Sequence, residues 1–289
     1  MPLFDSHCHL EDAAFDGDRA AVIARARAAG VQGIMTVGTD PASSRRAVAI
    51  AAAEPGVFAA VGIHPHDARL ASEAALRELR DLALHPRVRA WGEIGLDFHY
   101  LRSPQDLQER WLERQLAAAA ESGLPVIFHE RASQGRFLSI VRQAPPPAGA
   151  VVHCFSGTAA ELEGYLELGF SIGITGILTL PGRGAALREL VRRIPRERLL
   201  VETDAPWLSP EPERKRQPRN EPARVRAVLL RLAAERNEDP GELARQVTGN
   251  ACRLFGIDRL ADAEPFGYIP PLEARKPETP DSPRRSRPR

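Results

Sequence analysis

Short runs of apolar and β-branched residues alternate with longer amphipathic segments along most of this chain. Such runs are typical of strands buried in a parallel sheet, and the longer segments place apolar residues at helical spacing. The predicted strands are Leu3–His9, Gly33–Gly38, Val57–Ile63, Val88–Ile94, Pro125–His129, Ala150–His153, Phe170–Thr175 and Leu199–Asp204. The predicted helices between them are Asp18–Ala29, Pro41–Ala53, Ala71–Leu84, Asp106–Ser122, Ser133–Gln143, Thr158–Leu168 and Gly184–Ile194.

This alternation indicates the fold class. Strands that alternate with helices form a parallel sheet, and eight such strands in 289 residues match a closed barrel. An open, doubly wound sheet is the alternative, but no GxGxxG motif follows the first strand. The sequence therefore predicts an α/β fold, a (β/α)8 TIM barrel.

The chain changes character after the eighth predicted strand. An irregular loop, Pro206–Pro222, precedes predicted helices at Pro222–Arg236 and Pro240–Val247, and a separate stretch, Asn250–Phe255, is expected to close the barrel's last face. From about Asp262 the composition shifts to Pro, Arg, Glu and Ser, which is typical of disorder. We therefore predict a barrel over residues 1–261 and a disordered tail over residues 262–289.

Composition excludes some classes of protein. The formal net charge is +1, so any attraction for nucleic acid must come from a local basic patch. The three cysteines, Cys8, Cys154 and Cys252, are odd in number and widely spaced, which argues against a disulfide framework. No basic and apolar leader begins the chain, and no apolar run approaches the length of a membrane span. We expect a cytoplasmic protein that binds no membrane.

Candidate chemistry lies where the predicted strands end, which is where (β/α)8 barrels build active sites. His7 and His9 end the first strand, and because side chains alternate they share one face, with Cys8 on the other. Two imidazoles placed in this way can clamp a metal ion. Alone, the pair is equally consistent with hydrogen-bonded loop histidines.

Four more predicted strands end in metal-binding side chains, namely Glu93, His129, His153 and Asp204. Four imidazoles and two carboxylates buried in one ring would be costly unless cations bind between them. We predict that one ion takes His7, His9, Glu93 and Asp204, and that a second takes His129, His153 and the other oxygen of Glu93. Two cations about 3.5–4 Å apart can activate one water and hold a phosphoryl group.

These residues lie within motifs that resemble the TatD family of metal-dependent hydrolases, among the amidohydrolase-like barrels. The resemblance runs from Phe4 to about Phe255. It implies a divalent-metal site on the same six residues. It also implies deoxyribonuclease activity, as in some members, or D-aminoacyl-tRNA deacylation, as attributed to others. The motifs are FDSHCHL, GIHPH, GEIGLDF, PVIFHER, VHCFSG, SIGITGILT, LLVETDAPWL, RNEP and TGNACRLF.

The chain departs from the family pattern at two places. After the histidine at 129 the family usually has a small residue, an arginine and an acid, whereas this chain has Glu130, Arg131 and Ala132. The usual Gly-Lys before the Asn-x-Pro motif is replaced by the basic segment Lys215–Arg219. Both departures concern substrate contacts and leave the predicted metal ligands intact.

Further roles follow for residues near these ligands. Asp204 is the candidate general base, by resemblance to related barrels. Glu202 either tunes the metal ligands, assists proton transfer or is a buried partner of a neighbouring group. His64 and His66 flank Pro65 and either contact the substrate or form a structural turn. Arg131 is a candidate phosphate contact, because its guanidinium can make a bidentate fork.

Two other residues are expected to be structural. Asp97 is expected to cap the segment that follows the fourth strand. Trp207 follows Asp204 closely and could stack on a base, but we expect it to pack at the rim.

The predicted function is metal-dependent hydrolysis of ester bonds, most simply phosphodiesters of nucleic acid, with DNA as the leading substrate. Two divalent ions, Mg, Mn or Zn, are the predicted cofactors, and no protein partner is indicated. The alternative is a D-aminoacyl-tRNA deacylase or another small-ester hydrolase with the same site. A phosphodiesterase should depend on Arg131 and Lys215–Arg219, whereas a small-ester hydrolase should not. A non-catalytic barrel would require broken ligands, and all six are present.

Overall fold

Eight parallel strands lie side by side in sequence order in a computed structural model, which describes residues 1–258 and 260. The strands are β1 Leu3–Cys8, β2 Val31–Val37, β3 Val57–Val61, β4 Val88–Asp97, β5 Val126–Arg131, β6 Ala150–Val152, β7 Ser171–Ile174 and β8 Leu199–Val201. Backbone hydrogen bonds from Asp204 N to His7 O (2.9 Å) and from His9 N to Ala205 O (2.7 Å) join the two ends of the sheet. The predicted (β/α)8 barrel is confirmed.

Helices connect the strands and cover the outside of the barrel. They are α1 Arg19–Ala28, α2 Pro41–Ala53, α3 Glu73–Ala83, α4 Gln105–Ser122, α5 Arg136–Gln143, α6 Ala159–Glu167, α7 Ala185–Leu190, α8 Val225–Arg236 and α9 Pro240–Leu254. None of the helices in this described part is both long and apolar enough to cross a membrane. All three cysteines are free, as expected.

The last helix differs from its prediction. We expected a helix that stops at Val247, but α9 continues without a break to Leu254, although Thr248, Gly249 and Asn250 are weak helix formers. Tertiary contacts stabilise this stretch. Thr248 donates to Pro2 O (3.1 Å), and Asn250 donates to Leu199 O (2.9 Å).

An apolar cluster fills the amino-terminal end of the barrel. Phe4 on β1 packs against Phe58 on β3 and against Phe255, with ring centroids 6.1 Å apart in each pair. Phe255 directly follows α9, so this helix covers that end, as expected for the last part of the chain. The polar interior of the barrel is therefore confined to the opposite, carboxyl-terminal end.

Strand lengths correct two details of the site prediction. β4 continues past Glu93 to Asp97, so Glu93 lies inside its strand rather than at its end. Gly95 permits this, because a Cβ atom there would overlap the carbonyl oxygen of His129 on β5. β8 ends at Val201, and Asp204 has a left-handed backbone with φ of 55°, so strand alternation does not orient it.

The predicted tail, residues 262–289, lies outside the described residues.

Candidate metal centre

The side chains of His7, His9 and Asp204 converge on one oxygen of Glu93. His7 Nε2 lies 3.1 Å from His9 Nε2 and 3.4 Å from Glu93 Oε2, and His9 Nε2 lies 3.5 Å from Asp204 Oδ1. His7, His9 and Glu93 are buried, and the side chain of Asp204 is 15% exposed. Four donor atoms directed at one point match the first predicted ion site.

The other oxygen of Glu93 faces a second group. His129 Nδ1 lies 2.7 Å and His153 Nε2 2.9 Å from Glu93 Oε1. The His153 ring also stacks on the His7 ring, with centroids 3.8 Å apart. Glu93 therefore stands between two sets of nitrogen donors with one oxygen toward each, which is the geometry expected of a carboxylate that bridges two cations.

Each of three candidate ligand histidines has a buried carboxylate beside its outer ring nitrogen. We call these residues the outer carboxylates. The pairs are His9 Nδ1 with Glu11 Oε1 at 3.0 Å, His129 Nε2 with Asp97 Oδ2 at 3.3 Å, and His153 Nδ1 with Glu202 Oε1 at 3.3 Å. For His9 and His129 the contact is a hydrogen bond, which holds the proton on the outer nitrogen and leaves the inner lone pair free for a metal. Glu202 lies within ion-pair distance of His153 Nδ1, but that nitrogen makes no hydrogen bond. The rings of His9 and His129 are thus oriented as metal ligands would need to be.

Asp97 was expected only to cap the segment after β4, and that prediction is incomplete. Its Oδ1 does accept hydrogen bonds from the backbone of His99 (2.9 Å) and Tyr100 (2.8 Å). Its Oδ2, however, lies between His129 and His66, and His66 Nε2 is 2.8 Å away. Asp97 therefore also orients a candidate ligand.

Glu202 is fully buried behind His153. It accepts hydrogen bonds from Cys154 N (2.5 Å) and Ser6 Oγ (3.2 Å). A carboxylate enclosed in this way has no path to a substrate, so its position favours ligand tuning over proton transfer. Glu11 was missed by the sequence reasoning, although its place two residues after His9 was an available signal.

His64 also reaches the centre, but its hydrogen bonding is the reverse of the ligands'. Its outer Nδ1 accepts a hydrogen bond from His66 N (3.0 Å), so the proton of the neutral ring is on Nε2, 3.4 Å from Glu93 Oε1. Burial lowers the pKa of His64 to about 4, against the opposing effect of Glu93. Near neutral pH, His64 therefore presents an N–H donor to the centre, whereas a metal ligand needs a lone pair.

The electrostatics of the centre favour positive charge. Burial alone would raise the pKa of Glu93, but His153, His64 and His7 together hold it well below the ordinary value. The pKa of Asp204 is lowered in the same way, against burial, chiefly by its hydrogen bond with His9. Both carboxylates are therefore ionised near neutral pH, and a buried cluster with this charge fits divalent cations.

Residues 4–256 match the family model described as TatD related DNase. The chain belongs to this family. It is 44% identical over 265 residues to the 3'-5' ssDNA/RNA exonuclease TatD of Musicola paradisiaca, which covers 90% of this chain and 100% of that relative. It is also 44% identical over 259 residues to the exonuclease of the same name from Erwinia tasmaniensis, covering 88% and 100%.

Solved structures agree with this assignment. The TatD homologue YJJV of Escherichia coli superposes with a TM-score of 0.83 at 32% identity, covering 88% of this chain and 98% of that one. A TatD family hydrolase from Entamoeba histolytica gives a TM-score of 0.79 at 24% identity, covering 89% and 99%, and supports the fold alone. The resemblance drawn from the sequence motifs is confirmed.

The two departures from the TatD pattern have different structural outcomes. Arg131 ends β5 at the mouth of the barrel, with its guanidinium 4.7 Å from the centre of the Tyr100 ring. Arg219 instead makes a bidentate ion pair with Asp18 (2.8 and 2.7 Å) over the ring of Phe15. Arg219 thus fastens the loop after β8 to the start of α1, and the role of the segment Lys215–Arg219 in substrate binding stays a prediction.

Proposed function

We propose that this chain is a divalent-metal-dependent exonuclease that hydrolyses phosphodiester bonds in single-stranded nucleic acid, with DNA as its main substrate. The observation that carries the proposal is Glu93, whose two carboxylate oxygens face two separate groups of donor atoms. The name 3'-5' ssDNA/RNA exonuclease, which the curated relatives bear, supports the choice of substrate and of polarity.

The donor set fits two cations. His7, His9 and Asp204 would hold one ion with Glu93 Oε2, and His129 and His153 would hold the other with Glu93 Oε1. When bound, divalent ions would lower the pKa of water and stabilise negative charge on phosphoryl oxygens. Nitrogen-rich coordination favours Zn or Mn, and the carboxylates also accept Mg.

The chain's own side chains supply the remaining steps. Asp204, whose side chain is 15% exposed, is the carboxylate open to the mouth and accepts the proton of the attacking water. His64 donates from Nε2 to a phosphoryl oxygen, as its tautomer allows. Arg131 at the rim pairs with a neighbouring phosphate. His66 is hydrogen-bonded through Nε2 to Asp97, and we assign it to holding that carboxylate in place.

The test of this function compares two substrates in the presence of added Mg, Mn or Zn. We expect single-stranded DNA labelled at its 5' end to be shortened stepwise from the 3' end, and D-aminoacyl-tRNA to be left intact. No contact in the structure favours the ester alternative. Deacylation without shortening of DNA would overturn the proposed function in favour of that alternative.

Purified protein is expected to carry close to two divalent ions per chain. The physical reason is that the donor atoms around Glu93 exceed what one tetrahedral ion can use. Elemental analysis after chelator-free purification measures this stoichiometry. A value of one or less that added metal does not raise would contradict the two-ion site.

His64 and His129 should respond differently to loss of their rings. His64→Phe is expected to keep close to two ions while turnover falls about a hundredfold, since only a donor to the phosphoryl oxygen is lost. His129→Phe is expected to lose one ion together with activity. Metal content and turnover are measured side by side. Loss of an ion from the His64 variant would show that His64 is a ligand and that its tautomer is misassigned.

A further inference from the structure

Two aromatic side chains stand exposed at the mouth of the barrel. Trp207 is 50% and Tyr100 52% exposed, and they are the aromatic members of the set of large apolar side chains that lie open to solvent in the described residues. The other two tryptophans, Trp91 and Trp111, are 0% and 7% exposed. Exposure of a large ring costs hydrophobic free energy, so both positions need an explanation beyond packing.

Trp207 is held against the first donor group. Its backbone N–H donates to Asp204 O (2.8 Å), and its ring meets the His9 ring edge-to-face, with centroids 4.9 Å apart. One part of the indole therefore rests on a candidate metal ligand while the rest faces solvent. Packing at the rim, as expected from the sequence, accounts for the contact of the Trp207 ring with His9. It does not account for the exposed part of the indole.

Tyr100 lies near the second donor group, through contacts with Asp97 and His66. Its backbone N–H donates to Asp97, the outer carboxylate of His129, and its ring meets the His66 ring edge-to-face at 5.7 Å. The Arg131 guanidinium lies 4.7 Å from the ring centre. The phenol is thus fixed by backbone and side-chain contacts, and a cation able to pair with phosphate lies directly beside it.

The two rings lie on opposite sides of the centre. Tyr100 follows β4 and Trp207 follows β8, and the fourth and eighth strands face each other across an eight-stranded barrel. Glu93 and its donor groups lie between them. A phosphate at the centre would therefore have one exposed ring on either side.

We propose that Trp207 and Tyr100 are stacking platforms for the bases on the two sides of the scissile phosphate. This inference rests on the proposed nuclease function, and it explains why the enzyme would prefer a single-stranded substrate. Bases in a duplex are already stacked on one another, whereas bases of a single strand are free to stack on protein rings. Such stacking is tolerant of sequence and is worth about tenfold to a hundredfold in affinity per base.

The test compares two oligonucleotides with the same phosphates, one normal and one with abasic residues on both sides of the bond to be cut. Wild-type protein is expected to prefer the normal strand in kcat/KM, mainly through KM. In Trp207→Leu and in Tyr100→Leu this preference should fall by about tenfold to a hundredfold. Tyr100→Phe, which keeps a ring, should retain it, and Leu84→Ala, at an exposed site remote from the mouth, should match wild type.

A second readout does not depend on turnover. Because Trp207 is the exposed tryptophan, binding of the normal strand in the presence of a chelator should quench the intrinsic fluorescence, and the abasic strand should quench it far less. The quenching should be absent in Trp207→Leu. Unchanged preference in both leucine variants would overturn the inference while leaving the nuclease function intact. Failure of wild type to cut either strand would overturn the nuclease function, and this inference with it.

Discussion

Glu93→Gln is expected to lower turnover by about a thousandfold while the barrel stays folded. The amide keeps the shape of the side chain but removes its charge and one of the two oxygens that face the donor groups, His7 and His9 on one side and His129 and His153 on the other. An amide cannot bridge two cations, so the ions separate or one is lost. Loss of about 4 kcal/mol of transition-state stabilisation corresponds to this factor.

The measurement compares turnover at saturating metal, bound metal and circular dichroism. Glu121→Gln is the matched control, because Glu121 is an exposed glutamate that pairs with Arg80 on the outside of the barrel. Asp97 is unsuitable as a control, since its carboxylate contacts His129. Turnover of Glu93→Gln within tenfold of wild type would falsify the bridging role.

Asp204→Asn is expected to lower turnover by about a hundredfold to ten-thousandfold, the range found for loss of a general base. Asparagine keeps an oxygen at the position of Oδ1, 3.5 Å from His9 Nε2, so much of the metal site remains. It cannot accept the proton of the attacking water. The loss should therefore appear in kcat and persist at saturating metal.

Glu202→Gln provides the comparison within the site. Because Glu202 contacts His153 and is closed off from substrate, its loss should weaken metal binding by about tenfold to a hundredfold and be largely restored by excess metal. Asp16→Asn, at an exposed aspartate, serves as the neutral control. If excess metal restores Asp204→Asn as fully as Glu202→Gln, Asp204 acts as a ligand alone and another group takes the proton.

The sequence by itself determined the barrel and named the candidate donors. Parallel strands are buried on both faces, so they leave apolar runs that can be counted, and His7 and His9 stand out because polar side chains are rare at the end of such a run. The assignment of His129 and His153 to one oxygen of Glu93, and of His7, His9 and Asp204 to the other, agrees with the geometry.

The tertiary structure decided what each polar group does. The roles of Glu11, Asp97 and Glu202 depend on which ring nitrogen each carboxylate contacts. Asp97 and Glu202 contact histidines that are distant in sequence. Glu11 contacts His9 across a backbone turn, where the alternation of side chains along a strand no longer applies. The sequence left His64 as either a substrate contact or part of a turn, and one backbone hydrogen bond from His66 places the proton of its neutral ring on the inner nitrogen.

The same holds for the arginines and the rings at the mouth. A phosphodiesterase was predicted to depend on Arg131 and on the segment Lys215–Arg219, yet Arg219 is paired with Asp18, about two hundred residues away along the chain. Trp207 reads as rim packing, yet half of its ring is open. The local pattern of apolar and polar residues predicts burial and periodicity, because both depend on residues that are near in sequence. Charge pairing, tautomer and exposure depend on which strand ends meet, and only the closed barrel decides that.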